Sequence, residues 1–231
     1  MEYRKNYFDS GAKFHSQKGI LYKIRDFLLP AEKIRYFSDK HYFFLLKDKW
    51  DVIRNSKKVL DVGCGKGQFM KAAPKNVEAH GIDISEEVSE LKRKGFNVKK
   101  ADVTKKFPYK NSEFDAVVSF HVLEHLENPI NFVSECKRVL KKDGTIMIAV
   151  PNFSFKGFYA DYTHQRPYPR EALFRLLNDY GFYNIKIKNG VGFNKLISAL
   201  LFFFPKSRYK VEKFKGFFRP WEIVAIARKG Q

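Results

Sequence analysis

Val59-Leu60-Asp61-Val62-Gly63-Cys64-Gly65-Lys66-Gly67 is the stretch on which the fold turns. A short run rich in apolar and β-branched residues reads as a buried strand. It gives way to three alternating glycines, residues that turn tightly where a backbone must approach a ligand closely. Helical spacing resumes after the loop. Strand, glycine loop and helix together mark a nucleotide-type turn, which alone is weak evidence. A dinucleotide fingerprint wants a glycine at the position of Gln68, so the NAD reading is disfavoured. No Gly-Lys-Ser/Thr follows at P-loop distance.

Working outward, short strand-like runs alternate with helical stretches. Glu78 to Asp83 is predicted as a second strand, Val98 to Asp102 as a weaker third and Phe114 to Phe120 as a fourth. A helix is expected from about Pro129 to Leu140, then a turn at Lys141-Lys142-Asp143-Gly144 and a fifth strand, Thr145 to Val150, closed by Pro151. An aromatic segment leads to a helix from Arg170 to Tyr180, capped by Gly181, and a sixth strand at Tyr183 to Lys188. A last strand is expected at Trp221 to Ala227. This alternation predicts an α/β fold whose mainly parallel sheet is covered on both faces. Residues 1–54 read as an N-terminal helical extension, with helical spacing through Ile20, Leu21, Ile24, Phe27 and Leu28 before Pro30 and a second helix through Phe43 to Leu46. The domain then runs over 55–231, with a basic, aromatic insert at about 190–220.

Three acids lie at successive strand ends. Asp83 falls about twenty residues past the loop, where a carboxylate accepts hydrogen bonds from ribose hydroxyls. Asp102 ends the third predicted strand, placed to accept from an adenine amino group, and Asp61 precedes the loop, placed to pair with an ammonium. Any one of them reads equally as a cap or turn acid. All three on one carboxyl edge fit a cofactor with an ammonium, a ribose and an adenine but no pyrophosphate.

With Gly81-Ile82-Asp83-Ile84-Ser85, Phe114-Asp115-Ala116-Val117-Val118-Ser119 and Val139-Leu140-Lys141-Lys142-Asp143-Gly144, the glycine stretch resembles the class I S-adenosylmethionine-dependent methyltransferases. The match is closest to their broad small-molecule and lipid group. It covers roughly 57–152 and more loosely 161–188. The resemblance implies a Rossmann-like, doubly wound seven-stranded sheet whose last strand is antiparallel. It implies a cofactor site of Asp61, Gly63, Cys64, Gly65, Gly67, Asp83, Ile84, Asp102, Val103, Ser119, Phe120 and His121. No Asn-Pro-Pro-Tyr follows the fourth strand, which argues against amino methylation of adenine or glutamine by that route.

His121-Val122-Leu123-Glu124-His125 matches the HxxEH pattern of inverted zinc peptidases, and its histidines are spaced to share a helix face. The segment falls at a strand end on the cofactor edge, however, and similar stretches are common there in the resembled methyltransferases. No metal is therefore assigned. His121 is read as lining the cleft, with Glu124 and His125 in capping or surface roles.

Methyl transfer to oxygen ordinarily needs a base. His164 is the first candidate, within Asp161-Tyr162-Thr163-His164-Gln165-Arg166, where related enzymes carry a similar Asp-x-Thr-His segment facing the substrate; His121 is the second. Tyr162, His164 and Arg166 are the expected acceptor contacts. The alternative is that Asp161 and His164 only pin the loop.

Bulk composition bounds the partners. The 231 residues carry 44 Lys and Arg against 25 Asp and Glu, a net charge of +19 that attracts anionic partners. Basic residues beside Leu200 to Phe204 in the insert, with Tyr3, Tyr7, Phe8, Phe14 and Tyr22, suit a lid over a lipid-linked acceptor or the interface of an anionic membrane; the alternative is that these aromatics simply pack the insert onto the sheet. RNA is the alternative acceptor, although no separate RNA-binding module is recognisable. A non-catalytic scaffold is disfavoured by the intact loop and acids. Two cysteines without a CxxC pair suit a reducing compartment, and the N-terminus lacks a secretory h-region, so a cytoplasmic or peripherally membrane-bound protein is expected.

Overall fold

The computed structural model describes Leu46 and residues 49–154, 158–159, 161–190 and 222–230. The expected helices before Leu46, the insert and Trp221 lie outside the described residues. Seven strands form one sheet: β1 (Lys58–Val62), β2 (Glu78–Asp83), β3 (Asn97–Lys100), β4 (Phe114–Phe120), β5 (Leu140–Pro151), β6 (Phe182–Asn189) and β7 (Glu222–Lys229). Their order is β3-β2-β1-β4-β5-β7-β6. β1 pairs in parallel with β2 on one side and β4 on the other, which makes its carboxyl end the switch point of the sheet. β7 runs antiparallel to both β5 and β6, so the last strand is reversed as expected.

The strands alternate their side chains between two apolar layers, as a pleated sheet requires. Leu60, Val62, Val117, Ile146, Ile148 and Val150 point to one layer, which includes Phe132, Val133, Cys136 and Val139 of α3 (Pro129–Val139) and Leu173 and Leu177 of α4 (Arg170–Asp179). Val59, Ala116, Val118, Met147 and Ala149 point to the other, with Leu46, Trp50, Ile53 and Phe69. Trp50 stacks on Phe69 at 4.2 Å between ring centroids and donates its indole N–H to the Phe69 carbonyl. The end of the expected N-terminal extension is thus part of the core. Two short helices, α1 (Gln68–Lys71) and α2 (Glu87–Arg93), complete the first half. Among the described residues no helix is long and apolar enough to cross a membrane.

Several boundaries differ from the expectation by a residue or more. The Lys141–Gly144 turn is instead a bulge inside β5, whose pairing with β4 jumps from Phe114↔Leu140 to Ala116↔Thr145. Arg228 and Tyr183 grip Asp143 there, which has a φ of 58°, so long-range partners absorb a locally turn-like sequence. β3 stops at Lys100 rather than Asp102, and α4 stops one residue earlier, with Gly181 at φ 71° just beyond Tyr180. α3 starts where Pro129 supplies a pre-set φ and the Asn128 side chain accepts the Ile130 N–H.

Phe132 is fully buried, with its ring edge-on to Phe107 at 6.3 Å. Phe132→Ala should cost about 3–5 kcal/mol. Urea unfolding should show this as a lower midpoint at unchanged slope.

Candidate active site

At the switch point the chain leaves β1 through Gly63, Gly65 and Gly67, all with positive φ (78°, 47° and 69°). The N–H groups of Gly63 and Cys64 both donate to the Ile82 carbonyl, at 2.8 and 3.0 Å, folding the loop over the end of β2. A Cβ on Gly63 would collide with the Val122 side chain, so the left-handed backbone and the close approach both require glycine there. Asp83, at the tip of β2, accepts the Gly65 N–H through Oδ2 and the Ser85 N–H through Oδ1, each at 2.8 Å. A carboxylate has about four acceptor positions, so roughly two remain. Ile84, beside it, is 42% exposed despite its apolar side chain.

Asp61 is buried two residues before Gly63, inside β1. Burial, and then the neighbouring Asp83 carboxylate, push its pKa up to about 8, with Lys49 opposing. The Cys64 thiol is buried and its pKa is also driven up, by burial and then by Asp61 and Asp83, so it is neither a thiolate nor a nucleophile.

Asp102 lies past the end of β3 in a turn, where Oδ1 accepts both the N–H and the hydroxyl of Thr104. The turn-acid role is therefore real, and Oδ2 faces Lys105 at 3.9 Å. Val103 is partly buried against the main core. Ser119 donates its hydroxyl to the Val62 carbonyl at 2.9 Å, tying β4 to β1 beneath the loop. Phe120 packs on Phe69 and carries the Lys49 ammonium 4.3 Å over its ring.

His121 follows β4 with a φ of 56°, and only then does a 3₁₀ turn, Leu123–His125, begin. The two histidines of the HxxEH stretch therefore do not share a helix face. His121 Nε2 meets Glu222 Oε2 at 3.2 Å, and its Nδ1 lies 3.6 Å from Glu124 Oε1. Glu222 in turn pairs with Lys49 at 3.2 Å. Burial alone would lower the His121 pKa; the two carboxylates more than reverse this and raise it to about 9. An imidazolium at neutral pH has no lone pair with which to act as a base. Glu124 is fully buried, which corrects its expected capping or surface role: the left-handed turn at His121 drives it inward.

His125 and His164 lie 4.8 Å apart between ring centroids. His125 Nδ1 bonds the Thr163 hydroxyl at 2.9 Å, Thr163 bonds Asp161 at 2.7 Å, and His164 Nδ1 bonds the Phe158 carbonyl at 2.7 Å. The 158–168 loop is thus pinned onto the segment after β4, and Arg166 adds a bond to the Glu127 carbonyl. Tyr162 projects outward, 87% exposed. Lys49 and Glu222 escaped the sequence reading. The one available signal was an acid opening the otherwise apolar run Glu222-Ile223-Val224-Ala225.

Strand order, reversed β7 and a glycine loop clasped by a strand-end acid define a Rossmann-like nucleoside-cofactor fold. A family model described as a methyltransferase domain matches residues 31–187, and the chain belongs to that family. It is 35% identical over 137 residues to an uncharacterized protein of Methanocaldococcus jannaschii, covering 55% of this chain and 65% of that one. It is 32% identical over 114 residues to a ubiquinone biosynthesis O-methyltransferase of Actinobacillus pleuropneumoniae, covering 44% of this chain and 49% of the relative. The chain thus spans about half to two-thirds of the length of these relatives. Among solved structures, a SAM-dependent methyltransferase from Archaeoglobus fulgidus superposes with a TM-score of 0.65 at 23% identity, over 91% of this chain and all of that one.

The raised Asp61 pKa has a signed consequence. Folded Asp61 keeps its proton between about 4 and 8 while the unfolded residue ionises near 3.9, so rising pH removes stability across that window. Wild-type stability should fall relative to Asp61→Asn by up to about 1.4 kcal/mol per pH unit there. Urea unfolding of both proteins at pH 5 and pH 8 reads the difference.

Proposed function

We propose that this chain transfers a methyl group from S-adenosylmethionine to a hydroxyl oxygen of a small-molecule, lipid or glycan-type acceptor. The observation that carries the cofactor assignment is the Asp83 clasp at the switch point, with acceptor capacity left over beside a glycine loop. The residues fit the group. Asp83 offers its remaining lone pairs to two ribose hydroxyls. Asp61 is a buried carboxyl held near neutrality, and among the described residues no hydrogen bond to it relieves the effect of burial or of Asp83. A ligand ammonium beside it would supply the opposite charge that lets the Asp61 carboxyl ionise. Exposed Ile84 and partly buried Val103 flank the space for an adenine, with Asp102 Oδ2 at its edge.

When bound, the cofactor supplies an activated methyl on a sulfonium, open to in-line displacement. The protein's task is then alignment, exclusion of water and disposal of the acceptor proton. Ser119 and Phe120 end β4 beside the glycine loop, and His121 follows them as a positive charge. His164 is the group assigned to the acceptor hydroxyl. Its Nδ1–H is engaged by the Phe158 carbonyl, so the neutral ring carries its lone pair on Nε2. Oxygen as the accepting atom is supported by the likeness to ubiquinone biosynthesis O-methyltransferases.

Radiolabelled methyl transfer over cell extract, split into lipid, small-molecule, RNA and protein fractions, tests the reading. Label should enter the lipid or small-molecule fraction in base-stable, ether-type linkage. Label confined to RNA, favoured by the +19 charge, would overturn the acceptor class. His164→Ala should lower turnover by about 100-fold or more, the scale of a lost proton-transfer group, at nearly unchanged cofactor affinity. Undiminished turnover removes His164 from the mechanism.

A further inference from the structure

The cluster below the acceptor side holds an unusual surplus of lone pairs. Glu124 is 0% exposed, and among the described residues neither of its carboxylate oxygens has a hydrogen-bond partner. Leaving such a group buried and unsatisfied is costly, and more so when it is charged. The His121 ring nearby, at 3.6 Å, offers charge but not a hydrogen bond. Glu124, His125 and His164 each present one ligand atom, and these atoms lie within 4.8 Å of one another.

The hydrogen bonds around the two rings fix which nitrogen each one turns inward. A carboxylate only accepts, so the Thr163 hydroxyl gives its proton to Asp161 Oδ1 and receives one from His125 Nδ1. The neutral His125 ring therefore has its lone pair on Nε2. His164 Nδ1–H donates to the Phe158 carbonyl, which places its lone pair on Nε2 as well. Each ring is thus oriented through Nδ1 by an oxygen acceptor, the outer-shell arrangement that holds metal-binding histidines in place.

We propose that Glu124, His125 and His164 form a binding site for a divalent transition-metal ion. Two imidazole nitrogens with one carboxylate suit Zn²⁺, Mn²⁺, Fe²⁺ or Co²⁺, and are too rich in nitrogen for Ca²⁺ or Mg²⁺. Bond lengths to Zn²⁺ of about 2.0–2.2 Å require the ligand atoms to draw closer than they now stand. The ion joins the segment after β4 to the 158–168 loop, and it satisfies the two buried Glu124 oxygens at once. Asp161 Oδ2, 3.8 Å from His164 Nε2, stands at its rim. This set differs from the peptidase pattern, because His121 is turned to Glu222 instead. It also departs from the metal-free site expected from the sequence. The site does not depend on the methyl-transfer reading. Where both hold, His164 Nε2 would hold the ion rather than take the proton itself, and the ion would lower the pKa of an acceptor oxygen bound to it, whose proton would leave to water.

The full chain, stripped with chelator and dialysed, is titrated with Zn²⁺ and separately with Mn²⁺ by calorimetry, alongside thermal unfolding. One saturable site per chain and a metal-dependent rise in Tm are expected. Both should vanish in Glu124→Gln and in His164→Gln, while His80→Gln, remote on β2, retains them. Thr163→Val should weaken binding by about 10- to 100-fold, as loss of an outer-shell partner does. Metal-free unfolding of the Gln variants shows whether they fold, independently of any activity. Absence of saturable binding of either ion, or binding unchanged in both Gln variants, overturns the proposal.

Discussion

Asp83 accepts the Gly65 N–H through one carboxylate oxygen and the Ser85 N–H through the other, both at 2.8 Å. That pair of bonds joins the loop after β1 to the loop after β2 at the point where the sheet changes direction. Gly63 and Cys64 reinforce it by donating to the Ile82 carbonyl. The glycines accept left-handed backbone, and Val122 closes the space above Gly63. The geometry of the carboxyl edge therefore rests on an acid whose acceptor capacity is only half used by the protein. Under the proposed function, what remains serves the cofactor.

A second set of charges supports this edge from behind. Lys49, Glu222, His121 and Glu124 alternate in sign, with separations of 3.2, 3.2 and 3.6 Å. They connect the segment before β1, the reversed strand β7 and the end of β4. Removing one member would strand its buried neighbour, which is costlier than never having built the pair. Such a chain is better suited to fixing the position of His121 than to adding net stability. It also separates the roles of the histidines: His121 is held as a cation between two carboxylates, while His125 and His164 are each engaged through Nδ1.

The fold was legible because its signals are local. Val59 to Val62, Phe114 to Phe120 and Thr145 to Val150 are apolar runs that end at glycine, a polar turn or proline. The bulge at Lys141–Gly144 was not legible, because Lys-Lys-Asp-Gly is a turn until Arg228 and Tyr183 engage Asp143 from 85 and 40 residues away. In the site, the glycine loop and Asp83 stand within one strand–turn–helix unit and could be read directly. Glu222 reaches His121 across 101 residues of chain, and no local pattern announces that pair. Glu124 was misread for a related reason. Its place just past a strand end suggested a capping or surface role, and nothing local announces the left-handed backbone at His121 that precedes its inward turn. The part of the cluster contributed by His164 was visible only as a motif, its neighbours being set by the pinned loop.

The central claim is that the Asp83 clasp builds the binding site for an adenosyl cofactor. Calorimetric titration of S-adenosylmethionine into the full chain, beside Asp83→Ala, addresses it directly. The account predicts one molecule bound per wild-type chain and loss of binding in a variant that still unfolds cooperatively. Failure of the wild-type chain to bind, or undiminished affinity in Asp83→Ala, would contradict it.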